Sequence, residues 1–188
     1  MSAEAYGNLQ IPEDIHAAIV FTIEDKGQKQ GLSDKKIDNK LVHKNLVENV
    51  FITDPIILDK EKHIYRTKII PELNHSFFFD HSLEHLPGML ILEAARQFGT
   101  AISHVFFDTP FDSQFILHEL TSQFVAGAMA NRDVFIDVMI TNIKMKKGEL
   151  RRMTGVGYVH QDNQIIGKIT SSWSIIPRNI ITHLTKFH

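Results

Sequence analysis

The sequence predicts one α+β domain in which an antiparallel sheet wraps around a single long helix. Three observations predict it: a long, mostly apolar run from Pro87 to Phe106, strand-like stretches on both sides of that run, and short turn sequences between the last three stretches.

The chain opens ambiguously. Pro12, Glu13 and Asp14 suit a helix start, whereas Ala18 to Ile23 suits a short strand, and both readings stay open. From Glu24 to Lys40 the run is polar and holds two glycines, which marks a connector. Residues 1–40 are therefore expected to form an N-terminal arm, with the folded domain spanning 41–188. Val47 to Thr53 and His63 to Ile70 are rich in β-branched and aromatic residues, and Asp54-Pro55 and Pro71 interrupt them, so both read as strands.

A helix opening at Pro87, where the missing N–H costs nothing, runs to about Phe106 before Asp108, Thr109 and Pro110 stop it. Its length is about 30 Å. Apolar side chains cover most of its circumference, the pattern of a helix buried nearly all round. Glu93, Arg96 and Gln97 lie inside it, so it does not read as a membrane span. Four strand-like stretches follow, Gln114 to Val125, Val134 to Met145, Arg151 to His160 and Ile165 to Ile176, the last three forming an antiparallel meander. The economical way to bury such a helix is to wrap the sheet around it, which is the hotdog architecture. One such sheet leaves an edge strand and a half-built pocket exposed, so a homodimer is expected.

Composition narrows the function. At 188 residues the chain can bury one sizeable core, and 43% hydrophobic with 22% charged residues is ordinary for a globular domain. A net charge of −2 supplies no basic field for nucleic acid or an anionic membrane. The absence of cysteine excludes disulfides, thiolate metal sites and a cysteine nucleophile. The start shows no basic region followed by an apolar run, so a cytoplasmic location is expected.

The chemistry concentrates between Asn74 and Gln97. Glu93, Arg96, Gln97, Thr100 and His104 fall at i, i+3, i+4, i+7 and i+11, one narrow stripe on an apolar cylinder. A carboxylate and a guanidinium buried there must be paired or put to use, and Glu93 with Arg96 suits a structural ion pair as well as catalysis. The loop upstream carries His75, Asp80, His81, Glu84 and His85. His81 and His85 have metal-ligand spacing, but the following Pro-Gly makes the stretch a loop, and no metal is expected. Proton transfer fits better, with a carboxylate raised toward neutrality by an apolar pocket and with free N–H groups at Gly88 polarising a carbonyl. Lys44 and Arg66 are candidates for holding a phosphate, although basic residues at strand ends are more often solvated. Trp173 and the many phenylalanines suit either core or acyl-pocket lining.

The segment HSFFFDHSLEHLPGMLILEAARQ closely resembles the signature of the A-factor biosynthesis hotdog family, to which streptomycete gamma-butyrolactone synthases belong. LVHKNLVENVFITD, from Leu41 to Asp54, is similar to that family's opening motif of Val-His-Lys or Arg followed by a strand. The resemblance covers about Leu41 to Pro177 and implies transfer of a β-ketoacyl group from acyl carrier protein to dihydroxyacetone phosphate, with no cofactor. The best-known members carry two hotdog repeats, and this chain carries one. FFFDHSLEHLPGMLILEA is also similar, more distantly, to the active-site segment of hydroxyacyl-ACP dehydratases, where a loop histidine and a helix acid work across a dimer interface. Carried over by position, the acid falls on Glu93 and the histidine on His81 first and His85 second. The expectation is an acyl-ACP or acyl-CoA transferase using Glu93 with His81 or His85, with Gly88, Arg96 and Gln97 binding substrate. A 3-hydroxyacyl thioester dehydratase and a non-catalytic acyl or lactone binding module are the alternatives.

Overall fold

The computed structural model describes residues 13–26, 32–81 and 83–178, with the side chains of 21–26 left aside. Helix α1 (Glu13–Lys26) comes first, then strands β1 (Ile56–Asp59) and β2 (Ile64–Ile69), the long helix α2 (Gly88–Phe107), and strands β3 (Gln114–Phe124), β4 (Val134–Lys146), β5 (Glu149–Gln161) and β6 (Gln164–Ile176). The strands form one six-stranded sheet in the order β1-β2-β4-β5-β6-β3, antiparallel throughout. The expected hotdog arrangement and the closing meander are both present.

Helix α2 fills the inside of the sheet. Leu90, Ile91, Ala94, Phe98, Ala101 and Ile102 are buried along it and pack against Tyr65, Ile136, Met153, Val159 and Trp173 from the strands. Fully burying one such side chain is worth about 1.5–3 kcal/mol, so this one face supplies the bulk of the domain's stabilisation. Asp108, in the left-handed conformation at φ 49°, ends the helix and lets the Thr109 N–H turn back onto the Ser103 carbonyl at 3.1 Å.

The opposite face of the sheet holds a buried polar cluster. Arg66, Asp137 and Tyr158 lie side by side across β2, β4 and β5, and Ile19 of α1 packs on Tyr158. The Arg66 Nε and Nη2 donate to Asp137 at 2.7 and 2.8 Å, and His160 Nε2 lies 3.3 Å from the same carboxylate, all three side chains being sealed from solvent. Phe135 stacks on the His160 ring, at 5.5 Å between centroids, and the Arg66 guanidinium lies 5.8 Å from the Phe135 centroid. Burial pushes the Asp137 carboxyl up, but hydrogen bonds from Arg66 and His160 outweigh it and hold the group below its ordinary value. Arg66 is thus neither the solvated strand-end residue that the sequence favours nor the phosphate holder that is the alternative, because its guanidinium is buried against Asp137.

One further expectation is corrected and one open reading is resolved. Val47 to Thr53 is not a strand: Val47–Asn49 makes a tight helical turn, and beyond it Ile52 and Thr53 form only isolated bridges to Ile69 and Lys36. Its backbone groups are satisfied elsewhere, by the Gln97 side chain at Phe51 N and Asn49 O and by Ile37 N at Ile52 O. The strand at this edge is the short β1 instead. Of the two readings left open for the N-terminus, the helix holds, since Ala18 to Ile23 lies within α1.

Candidate functional site

A cavity of about 550 Å³ opens between the first half of α2, the 44–51 segment, the loop at 75–78 and the edge strand β3. That volume lies in the range of small-molecule sites. Its floor is apolar, built from Phe51, Phe78, Met89, Leu92 and Leu117 among others. One wall is ionic.

The wall is built on Glu93. Arg96 donates to it through Nε and Nη2, both at 2.8 Å, in the planar two-bond geometry that a guanidinium favours. Lys44 Nζ approaches it at 2.8 Å and Gln97 Nε2 donates at 2.9 Å. Glu93 and Arg96 are one helical turn apart, so α2 itself sets their contact, while Lys44 arrives from outside the helix. Gln97 is buried and is not among the residues lining the cavity; its Nε2 also donates to the Asn49 carbonyl at 2.8 Å and its Oε1 accepts Phe51 N–H at 2.9 Å. It stitches the 49–51 segment to the helix.

These contacts overturn one expectation. Burial alone pushes the Glu93 carboxyl up, but Arg96, Lys44 and Gln97 pull harder and hold it at about 2. Glu93 is thus ionised at every working pH and fixes two cations at the cavity wall.

Histidines occupy three positions. His75 lines the cavity, donating from Nε2 to Asn49 Oδ1 at 2.8 Å and accepting Phe77 N–H at Nδ1 at 3.2 Å, so both ring nitrogens are engaged. His81 stands in solvent, 69% exposed, with Nδ1 2.5 Å from Asp80 Oδ1. His85 is also exposed, in a backbone bridge to Met129, with its ring over Gly127 so closely that a Cβ there would lie 2.7 Å from Cδ2. Neither His81 nor His85 is among the residues lining the cavity of its own chain. Gly88 opens α2 beside them, Pro87 O accepting from Leu90 and Ile91 N–H, which leaves the Gly88 and Met89 N–H groups as first-turn donors at the cavity mouth.

The stripe continues away from the cavity. His104 is buried; its Nδ1 donates to Thr109 O at 2.7 Å, which leaves Nε2 to accept from His43 Nε2 at 2.9 Å. Burial lowers both imidazoles, His43 further through repulsion from His104 and Arg96. The opening motif's histidine is thereby tied to the far end of α2, a link that no spacing in the sequence signals. Among the described residues, no group of three or more His, Cys, Asp or Glu is arranged to hold a metal ion. No helix among them is long and apolar enough to cross a membrane.

Residues 29–177 match the A-factor biosynthesis hotdog domain. Over 67 residues the chain is 33% identical to the 2-oxo-3-(phosphooxy)propyl 3-oxoalkanoate synthase of Streptomyces virginiae, a stretch that is 35% of this chain and 23% of that relative. The chain therefore spans less than a quarter of the length of that relative. Among solved structures, it resembles a Lactococcus lactis protein provisionally titled a thioesterase, with a TM-score of 0.52 and 18% identity over 72% of this chain and 99% of that one. A conserved Pseudomonas aeruginosa protein gives a TM-score of 0.50 at 13% identity over 74% and 100% of the two chains. At these identities the likeness is one of fold.

Proposed function

We infer that this chain, which belongs to the A-factor biosynthesis hotdog family, transfers an acyl group from a carrier thioester to a hydroxyl acceptor that carries a phosphate. One observation carries the reading: a single cavity joins an apolar floor to a wall where Lys44 and Arg96 are held by Glu93. The floor suits an acyl chain. The wall suits an anionic acceptor, since two cations fixed by one carboxylate leave a net positive site. The name of the Streptomyces virginiae relative describes such a pairing, a 3-oxoalkanoate joined to a phosphooxy-bearing alcohol.

In the proposed step the acceptor hydroxyl oxygen attacks the thioester carbonyl, the C–O bond forms as the C–S bond breaks, and a base carries the hydroxyl proton to the departing thiolate. The first-turn N–H groups of Gly88 and Met89 would polarise the oxyanion. Among the described residues that line the cavity no base is free, because Glu93 is held at about 2 and both His75 nitrogens are engaged. A second copy supplies it. Edge strand β3 runs beside the cavity and exposes Ile116, Leu117 and Leu120, the surface a homodimer would cover, and the partner's loop then brings His81 or His85 to this chain's Glu93 wall.

Two measurements test the reading. A β-ketoacyl thioester with dihydroxyacetone phosphate is expected to release thiol faster than either alone, and Arg96→Met to raise KM for the acceptor selectively. Thiol release that ignores the acceptor indicates a thioesterase, water loss from a 3-hydroxyacyl thioester a dehydratase, and acyl binding without either product a binding module. For the shared site, mixed dimers of a His81→Ala/His85→Ala chain with a Glu93→Gln chain are expected to recover about half of the sites; no recovery, or a monodisperse monomer at micromolar concentration, removes the partner-supplied base.

A further inference from the structure

The cavity does not end at its floor. Two smaller cavities adjoin it, one of about 110 Å³ between α2 and strands β3 and β6, and one of about 20 Å³ between α2 and strands β4, β5 and β6. Ala95 and Ser171 line all three, so they form the neck through which the spaces communicate. Gly99 and Trp173 line the two inner cavities and are absent from the outer one. The space therefore runs one helical turn along α2, about 6 Å from Ala95 to Gly99.

Trp173 is what stops it. A Cβ on Gly99 would lie 3.1 Å from the Cη2 and Cζ2 atoms of the indole, and one on Gly155 3.4 Å from Cζ3, so the ring is slotted between two residues that have no side chain. The indole Nε1 donates to Ser103 Oγ at 3.4 Å, and that hydroxyl donates to the Gly99 carbonyl, which locks the ring's orientation. The walls around this end are Phe98, Ile136, Val138 and Ile169, with no charged group. Arg96 and Thr100 line only the larger of the two, so the Trp173 end is the part whose lining accepts hydrocarbon and disfavours polar groups.

Resting on the acyl-transfer reading above, we propose that this blind channel is the acyl-tail ruler of the site: straight-chain acyl groups enter past Ala95 and Ser171 and are measured against Trp173. Each methylene that enters the channel strengthens binding by about fourfold, the transfer of one CH₂ out of water, until the chain meets the indole. Past that length the gain stops. Ala95, Gly99 and Trp173 thus set chain-length preference without touching the reacting carbonyl.

The test is equilibrium binding of saturated acyl-CoA thioesters from butanoyl to tetradecanoyl, with no acceptor present. The parent protein is expected to show a rising affinity that levels at a defined length. Ala95→Leu closes the neck and moves the levelling point to shorter chains, whereas Trp173→Phe opens the end and moves it to longer ones. Ser171→Val, which narrows the same neck from the sheet side, is expected to agree with Ala95→Leu, and a parent-like circular dichroism spectrum and Tm report the fold in all three. Length dependence that is the same in parent and variants overturns the proposal, because the tail then lies elsewhere. Shifted levelling points without thiol release under any acceptor leave the ruler standing and remove the transferase reading; thiol release with unshifted points does the reverse.

Discussion

Glu93→Gln is expected to lower kcat/KM for acceptor-dependent thiol release by about 10- to 10²-fold while leaving the shape of the pH–rate profile unchanged between about pH 5 and 9. The loss follows from charge. Glutamine keeps the size of the side chain, but Lys44 and Arg96 then face each other across a neutral group; truncating one partner of a fully buried charge pair costs about 2–5 kcal/mol, and solvent reaching the partly exposed Arg96 and Lys44 reduces that here. The unchanged shape follows from titration, since a carboxyl held at about 2 is already ionised throughout that window and cannot contribute a limb to the profile. An acid limb that disappears in the variant would restore Glu93 as a proton-transfer group. Stability carries a matching signature. A depressed carboxyl stabilises the folded state above its unfolded value near 4.5, and that contribution drains away as pH falls toward about 2. The difference in Tm between parent and variant should therefore shrink on acidification below about pH 4.5.

The sequence made the long helix and the meander legible because both rest on period and punctuation. Apolar residues cover α2 nearly all round, and Lys147-Gly148 and Asp162-Asn163 do turn the chain between β4, β5 and β6, at positive φ. The stripe from Glu93 to His104 was visible as an anomaly, and its Glu93–Arg96 contact was among the readings. Its individual fates were not visible. Gln97 and His104 are buried by what arrives from far along the chain, Asn49 and Phe51 for the one and His43 for the other. Val47 to Thr53 misled because β-branched residues report burial as much as pairing, and here Val50, Phe51 and Ile52 are buried under a helix side chain's hydrogen bonds instead of a full ladder. The pair Arg66 and Asp137 did leave a trace, a cation in β2 and a single anion in the apolar first half of β4, although Thr67 and Lys68 stand beside Arg66 in the same strand. Opposite charges of that kind on two strands are a signal of a buried pair, and register alone shows that they meet.

Asp137→Asn is expected to lower Tm by about 6–20 °C, the second large effect. The substitution keeps the shape of the side chain and leaves the Arg66 guanidinium without its counter-charge beneath Phe135, and breaking one side of a buried pair costs about 3–5 kcal/mol. For a domain of this size each kcal/mol is worth about 2–4 °C. The double variant Arg66→Met with Asp137→Leu removes both charges and is expected to regain most of the loss, because desolvating the ions no longer opposes folding. Acidification separates this from simple repacking. Asp137 is held below its ordinary value, so its stabilisation is present above the unfolded carboxyl value near 4 and is lost as pH falls through the folded one. The parent should therefore lose more stability over that range than the double variant, which keeps only the Glu93 contribution. Tyr158, in register with the pair, packs on α1 across the sheet from α2, so the double variant is expected to keep its acyl-CoA affinity and thiol release. An Asp137→Asn protein as stable as the parent would show that Arg66 is neutralised by other means, and a stable double variant that has lost turnover would tie the cluster to the chemistry on the other face.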